Sequence, residues 1–506
     1  MEHPYARKIF EHFLSQTIAR MKHPPSRDPT MPAHNKQKQS GNAASTSATT
    51  FWNERPRPFQ AVSKAFAKAT SCATEEVAFG ASSKAALAIL LITGSLQAAA
   101  APLTATPDAI FEGDTSFGRF GLSVDLSGNR ALIGAEDADT TNGTASGAVY
   151  LYDTDNGQLL RTIAGERQGF GRAVTLSGDR ALVSAPFVDT ENGVDSGVVY
   201  LYDTTTGERL RTFEGLAQDD NLGSTFESLA LSGNLALIGA YDADTSNGTL
   251  NGLDTGAAYL YNIDTGALLH TFEGQETDDG FGVSVALSGN RALIGARRAE
   301  TSDQIRRGQA YLYDTETGAL LQTFAGGAAQ DDLGFGFSVD LSGNRALIGS
   351  PYADTANGEL SGAAYLYDTE TGALLQTFAG FAEKEGMGFS VSLADDLALI
   401  SAIDPDPNSP VRTGTGYLFN IDGTLLETFA TDATEDFFSV PNALTSELAL
   451  FGAGAADTSS VDSAGAAYLY RLSSAEQGVP APGTLALAVL GLAATAGRRA
   501  TRGIRA

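Results

Sequence analysis

An apolar and aromatic segment reading YLYD, or a close variant, recurs seven times, with its first tyrosine at Tyr150, Tyr200, Tyr259, Tyr311, Tyr365, Tyr417 and Tyr468 (Phe419 replaces the second ring in the sixth copy). Successive copies lie 50, 59, 52, 54, 52 and 51 residues apart. Four stretches in each unit alternate or stay apolar over five or six residues, and in the fifth unit they read FSVDL, RALIG, AAYLYD and ALLQTF, which is the period of a β-strand. Ser342-Gly343-Asn344 separates the first pair, and Thr369 to Gly372 separates the last pair, with glycines placed where a tight turn needs positive φ. No long helical period interrupts the pattern. Four antiparallel strands in a unit of about 50 residues, seven times over, predict an all-β fold, a seven-bladed β-propeller.

The ends of the repeat predict how the ring closes. The fourth strand ends in TFxG at Thr212 to Gly215, Thr271 to Gly274, Thr323 to Gly326 and Thr377 to Gly380, with TIAG at Thr162 to Gly165 and TFAT at Thr428 to Thr431. The seventh unit lacks this strand, because Tyr468-Leu469-Tyr470 runs into RLSSAEQG. IFEG, Ile110 to Gly113, stands before the first unit, where no earlier blade needs it. The N-terminal strand around Ala109 to Glu112 is therefore expected to complete the last blade and leave no unpaired edge.

The repeated text FGxSVxLSGNRALIGAxxADTxNGxxSGAAYLYD resembles the FG-GAP repeat, the blade of integrin α-subunit propellers and of many bacterial surface proteins, over about residues 110 to 473. Phe120-Gly121, Phe170-Gly171, Phe281-Gly282, Phe335-Gly336 and Met387-Gly388 match the FG pair, while the third unit (Leu222-Gly223 and Phe226) and the seventh (Phe437-Phe438) depart from it. Integrin blades that bind calcium carry a DxDxDG-type loop between their first two strands. Here that loop is only SGN, SGD or ADD, too short and too poor in carboxylates to wrap a cation, so integrin-style calcium binding does not carry over.

Composition divides the chain. Over 506 residues, 33 bases stand against 60 acids, a net charge of −27 that makes nucleic acid a poor partner. Before Val77 lie 11 of the bases but only 6 of the acids, with Cys72, Trp52 and four of the five histidines. Between Ala101 and Gly497 the counts are 17 and 54, a charge of −37, with Lys384 the sole lysine. At the seam, Lys84 precedes AALAILLITGSLQAAAA, an apolar core ending in small residues as in a secretory signal peptide. The reading is an N-terminal extension over 1–76, disordered or upstream of the true start, a signal peptide over 77–100, a propeller over 105–473 and a sorting tail over 474–506.

That tail has three parts: VPAPGT (Val479, Pro480, Ala481, Pro482, Gly483, Thr484), the apolar run Leu485 to Gly497, and a basic end with Arg498, Arg499, Arg502 and Arg505. The order resembles the PEP-CTERM sorting signal of Gram-negative bacteria, with Ala481 where that family commonly has Glu. The resemblance implies recognition and cleavage by an exosortase, after transient anchoring in the inner membrane through a short C-terminal hydrophobic helix, and release to the cell surface or matrix. The apolar run has 13 residues against the roughly 20 of a stable spanning helix.

Strand alternation places the loops between second and third strands, and those between successive blades, on one rim. The first set includes DADTTNG (Asp137 to Gly143), VDTENG (Val188 to Gly193), DADTSNG (Asp242 to Gly248) and ADTANG (Ala353 to Gly358); the second includes Asp219-Asp220, Asp278-Asp279, Asp331-Asp332 and Glu435-Asp436. Turn chemistry and solubility account for such residues. They could also offer oxygens to Ca²⁺, with Asp137, Asp139 and Asn142, and their equivalents Asp242, Asp244 and Asn247, as speculative ligands and no other cofactor expected. Catalysis is poorly provided for, since residues 101–506 hold no Cys, no Trp and one histidine, His270, in an outer-strand position. A faint likeness to quinoprotein propellers fails on the missing tryptophans. The reading is a monomeric, exported, non-enzymatic binding or structural protein of the bacterial surface or biofilm, with an extracellular polysaccharide or a surface protein as partner. The alternative is a propeller glycoside hydrolase or other carbohydrate-active enzyme using Asp/Glu carboxylates, which a unique acid pair in the central channel would favour.

Overall fold

The computed structural model describes residues 105–245, 255–301, 306–326, 332–404, 414–430, 441–459 and 461–472. Among them every regular element is a strand, and the strands form seven four-stranded antiparallel blades and one short two-stranded ribbon, Asp332–Leu333 with Tyr352–Ala353. Blade 1 runs outward from Ser123–Ser127 through Arg130–Ala135 and Ala148–Asp153 to Leu159–Ala164. Blades 2 to 6 repeat this order from innermost strands at Val174–Ser177, Leu229–Ser232, Phe281–Ser288, Ser338–Ser342 and Met387–Ala394. Blade 7 contains Asn442–Leu444, Leu448–Ala453 and Ala466–Arg471, and its outermost strand is Ala109–Glu112, paired so that Ile110 faces Tyr468 and Phe111 faces Ala467. Each innermost strand packs against the next around the ring, and that of blade 7 meets that of blade 1. The expected closure by the N-terminal strand is what the fold contains.

Burial follows position in the blade. Second strands such as Arg345–Ser350 are buried at every residue after the first, because both sheet faces are covered by neighbouring blades, which is why RALIG reads as a continuous apolar run. Outermost strands have open faces, and Leu320 and Leu374 are about half exposed. The phenylalanine of FG packs on the third-strand tyrosines of its own blade, Phe120 on Tyr150 and Phe335 on Tyr365, with centroids 5.2 and 5.5 Å apart. The phenylalanine of TFxG reaches the following blade: Phe213 meets Tyr261 at 4.6 Å, Phe272 meets Tyr313 at 4.4 Å, and Phe324 meets Tyr367 at 4.8 Å. Phe111 makes the equivalent contact with Tyr152 at 4.3 Å, so the aromatic chain passes through the join as well. The glycine of FG touches the preceding blade. At Gly121, φ is 86° and a Cβ would overlap the carbonyl oxygen of Ala466, so only glycine fits.

Polar side chains add ties between blades. Arg161 donates to the carbonyls of Thr204 and Thr205 at 3.1 and 2.5 Å, and Gln376 donates to Asp422 O at 2.7 Å from the same outer-strand position. On the SGN face, Arg130 pairs with Asp179 at 2.6 Å and Arg345 with Asp396 at 2.9 Å. The extension 1–76, the segment 77–100, the sorting tail with its motif residues, and the expected C-terminal helix lie outside the described residues.

Candidate functional site

Among the described residues the two loop sets expected to share a rim do so, and hydrogen bonds join them; residues 246–248, Asp331, Glu435 and Asp436 lie outside the described residues. In blade 1, Asp139 Oδ1 accepts the N–H of Ala145 at 2.8 Å, the Thr140 hydroxyl accepts the N–H of Asn142 at 3.0 Å, and the Asn142 amide donates to Gly165 O at 3.0 Å. Blade 2 repeats the arrangement with Asp189 to Asp195 N at 3.0 Å and Asn192 to Gly215 O at 2.7 Å; blade 5 repeats it with Asp354 to Leu360 N at 2.7 Å and Asn357 to Gly380 O at 2.6 Å. The residue receiving the carboxylate, Ala145, Asp195 or Leu360, stands at a φ of 49°, 50° or 53°, an uncommon conformation without glycine that the clasp holds in place. The repeated DTxNG text is thus a loop brace. In the second set, Asp220 accepts the N–H groups of Leu216 and Ala217 at 2.7 and 2.9 Å, and Asp279 accepts those of Gln275 and Glu276 at 3.1 and 2.9 Å.

The speculative calcium ligands are therefore drawn to different partners. Asp137 pairs with Arg119 Nε at 3.2 Å, Asp139 braces Ala145, and Asn142 ties the rim to Gly165. Asp242 and Asp244 follow the second strand of blade 3 at the corresponding places, and Asn247 lies outside the described residues. Among the described residues no three Asp, Glu, His or Cys side chains converge as a ligand set. His270 sits on the outermost strand of blade 3, with Nε2 3.3 Å from Glu316 O, the same blade-to-blade tie that Arg161 and Gln376 make.

The groups that break the repeat gather at the mouth of the ring. Glu136, which follows the second strand of blade 1, is buried and held by Arg119 from the linker before that blade and by Arg172 from the linker after it, the latter at 2.9 and 3.1 Å. Burial alone would push this carboxyl up, but Arg172 and Arg119 together outweigh it and hold it below the ordinary range. Arg172 also donates to Ser224 O at 2.5 Å, so one cluster spans the entries of blades 1, 2 and 3. Across the mouth, Arg297 is 1% exposed, with its guanidinium 5.4 Å from the Tyr241 ring and 5.6 Å from the Phe337 ring. Burial, then the neighbouring Arg298, brings its pKa down to about 10.

The third unit's departure from FG explains the rest of the mouth. Four residues, Ser224 to Glu227, stand between Gly223 and Ser228, where blade 1 has only Leu122. This insertion brings Phe226 onto Phe389, which in turn packs on Phe337 at 4.8 Å, and it carries Glu227 inward. Both Glu227 carboxylate oxygens are out of contact with water, beside Ser390, and burial followed by the Asp340 charge raises its pKa well above the usual value.

The equivalent innermost-strand position holds Asp125, Thr175, Ala230, Ala286, Asp340, Ser392 and Ala443, so the channel is not lined identically by every blade. Its two carboxylates fasten blades together. Asp125 accepts Leu126 N at 2.7 Å, Leu176 N at 2.6 Å and the Thr175 hydroxyl at 2.9 Å; Asp340 accepts Leu341 N at 2.7 Å and Leu393 N at 2.6 Å. Burial pushes Asp125 up to about 6 and Asp340 up to about 7, with the backbone donors opposing it.

The mouth cluster was not among the expected sites, although a signal for it exists in the text: Arg172 stands where sister units have Leu122, Val283, Phe337 and Phe389. The FG-GAP repeat family model matches four segments, residues 113–152, 164–202, 273–313 and 324–367, which fall on blades 1, 2, 4 and 5 with the end of the preceding outer strand. The inserted third blade is not among these matches. A search of curated proteins found no match to the chain.

Proposed function

Taking the chain as a seven-bladed β-propeller that carries FG-GAP repeats, we propose that it is an exported, non-enzymatic binding or structural protein of a Gram-negative cell surface or extracellular matrix. The observation that carries this reading is the use made of the rim acids. Asp139, Asp189, Asp220, Asp279 and Asp354 are bonded to backbone N–H groups of their own loops, so the rim is a fixed polar surface rather than a set of poised acid–base pairs. Fixed loops on a closed scaffold suit recognition, because little order remains to be imposed on binding. The apolar segment at 77–100 and the VPAPGT tail support export and sorting by an exosortase-like enzyme. The test is retention of the purified protein on envelope and matrix fractions, with intact-mass analysis of the released form. Retention together with loss of residues beyond Pro482 is expected; a chain that stays in the cytoplasm and adsorbs to neither fraction refutes the proposal.

A carbohydrate-active enzyme is the second reading, and one observation favours it: Glu227, which has no counterpart in a sister blade, and Asp340 are carboxylates with raised pKa values at the ring's centre. Aromatic side chains crowd the approach to them, and Asp340 is bound by two backbone N–H groups. New reducing ends released from polysaccharide by the wild-type protein, but not by Glu227→Gln, would decide for it.

A further inference from the structure

Blade 2 is entered by a shorter linker than its neighbours. Four residues, Glu166 to Gly169, separate Gly165 from Phe170, whereas six enter blades 1, 3, 4 and 6 (residues 114–119, 216–221, 275–280 and 381–386). In blade 6 the longer linker covers the third-strand tyrosine: Phe381 packs on Tyr417 at 5.1 Å and Glu385 accepts the Tyr417 hydroxyl. In blade 2 the equivalent tyrosine, Tyr200, is itself buried and lines a cleft of about 570 Å³ with the linker, the loop at 188–191 and the outermost strand. Arg167 and Arg209 line it, with Thr212 and the carboxylates of Asp189, Glu191 and Glu214, of which Asp189 is engaged with Asp195 N–H. The Arg209 guanidinium lies 5.3 Å from the centre of the Tyr200 ring. Sister blades carry leucine at this position, Leu159, Leu268, Leu320, Leu374 and Leu425.

Many arginines elsewhere in the ring are engaged with carboxylates, as Arg130, Arg172, Arg180, Arg298 and Arg345 are, while Arg161 and Arg211 are taken up by backbone carbonyls of the next blade. Among the described residues Arg167 and Arg209 make no ion pair. Two guanidiniums that share a cleft and are bound to none of its carboxylates suit a ligand carboxylate. The lining also limits the ligand class. A compact polyanion such as phosphate would be repelled by Asp189, Glu191 and Glu214, and a neutral sugar would leave both arginines unused. A ligand with one carboxylate and several hydroxyl donors satisfies all of these groups. A second cleft of about 470 Å³ adjoins the first, sharing Arg209 and Thr212 and extending to Thr265 and Gly266, so the path continues past one sugar unit.

Building on the reading of the ring as an extracellular binding protein, we propose that the blade 2 cleft binds an acidic polysaccharide, with a uronate carboxylate between Arg167 and Arg209 and its hydroxyls on Glu191, Glu214 and Thr212. The experiment is calorimetric titration of the full chain with tetragalacturonate, a neutral galactose tetramer and a glutamate tetrapeptide. Saturable heat with the uronate alone is expected, falling with added salt and weakened about tenfold or more by Arg209→Leu and by Arg167→Gln. Arg209→Leu installs the sister-blade residue at an exposed site, so its melting temperature should match that of the wild type. Equal binding of the neutral tetramer overturns the role of the arginines, and equal binding of the peptide overturns the saccharide assignment. If the wild type is retained on matrix fractions but gives no heat with the uronate, the cleft assignment fails alone; if it does neither, the binding reading falls with it.

Discussion

Replacing Phe111 by alanine tests whether the N-terminal strand is part of the ring or an appendage to it. The strand has four residues, and two of them make opposite predictions. Phe111 is 4% exposed, packs on Tyr152 of blade 1 and belongs to a buried cluster with Phe120, Ala467 and Leu469; Ile110 is 51% exposed. Truncating a buried phenylalanine costs about 3–5 kcal/mol, because the lost transfer free energy is joined by the cavity left behind. An unfolding entropy of about 2 cal/mol/K per residue gives a ring of this length roughly 0.8 kcal/mol/K, so the loss corresponds to a fall of about 4–6 °C in melting temperature. Ile110→Ala should shift it by about 1 °C or less, and Phe272→Ala, at the equivalent contact inside the ring, should match Phe111→Ala. Circular dichroism melting of the three variants is the assay. Equal small shifts for Phe111→Ala and Ile110→Ala would refute closure by this strand.

Other predictions concern the polar groups. Asp340, pushed up to about 7 from a reference of 3.8, keeps its proton in the fold over a range where the unfolded chain has lost it. Its contribution therefore favours the fold at low pH and declines as pH rises through about 7; Asp340→Asn should reduce the fall in stability between pH 5 and pH 8 by about 2–3 kcal/mol, read from urea midpoints, and an unchanged slope would contradict this. Glu136 has the opposite sign: its pKa is held below 4.5, so its support is present above that value and is lost as pH falls through the lowered one. Glu136→Gln should cost about 3–5 kcal/mol at pH 7, by leaving Arg119 and Arg172 without their shared counter-charge, and the gap to wild type should narrow in acid. Because the rim carboxylates are already braced, millimolar Ca²⁺ should move the melting temperature by about 1 °C or less and give no saturable heat. A large Ca²⁺ shift abolished by Asp139→Ala would overturn the brace.

What the sequence made legible and what it hid have one physical cause. Repetition exposed the blades: the second strand, RALIG or a close variant, is buried beyond its first residue in every copy, the TFxG phenylalanines reach the next blade, and the missing seventh TFxG identified Ala109–Glu112 as the closing strand. The same repetition disguised the acids. DTxNG reads as ligand-rich text, but its oxygens brace residues such as Ala145 and Leu360 at positive φ, a need visible only once the loop conformation is known. Features unique to one blade were hidden for a further reason. Glu136 and Arg172 are 36 residues apart, and Arg172 and Ser224 are 52 apart, so nothing local couples them. The Ser224–Glu227 insertion and the shortened blade 2 linker are visible in the text as irregular spacing, yet only the ring shows that one fills the mouth and the other opens a cleft.

We propose that this ring holds an extracellular partner without transforming it. The most direct measurement incubates the purified full chain with polysaccharide extracted from the surface matrix, following protein retained on the polymer and reducing ends released from it in the same samples. Saturable retention with no rise in reducing ends is the predicted result; absence of retention, or steady release of new ends, would contradict it.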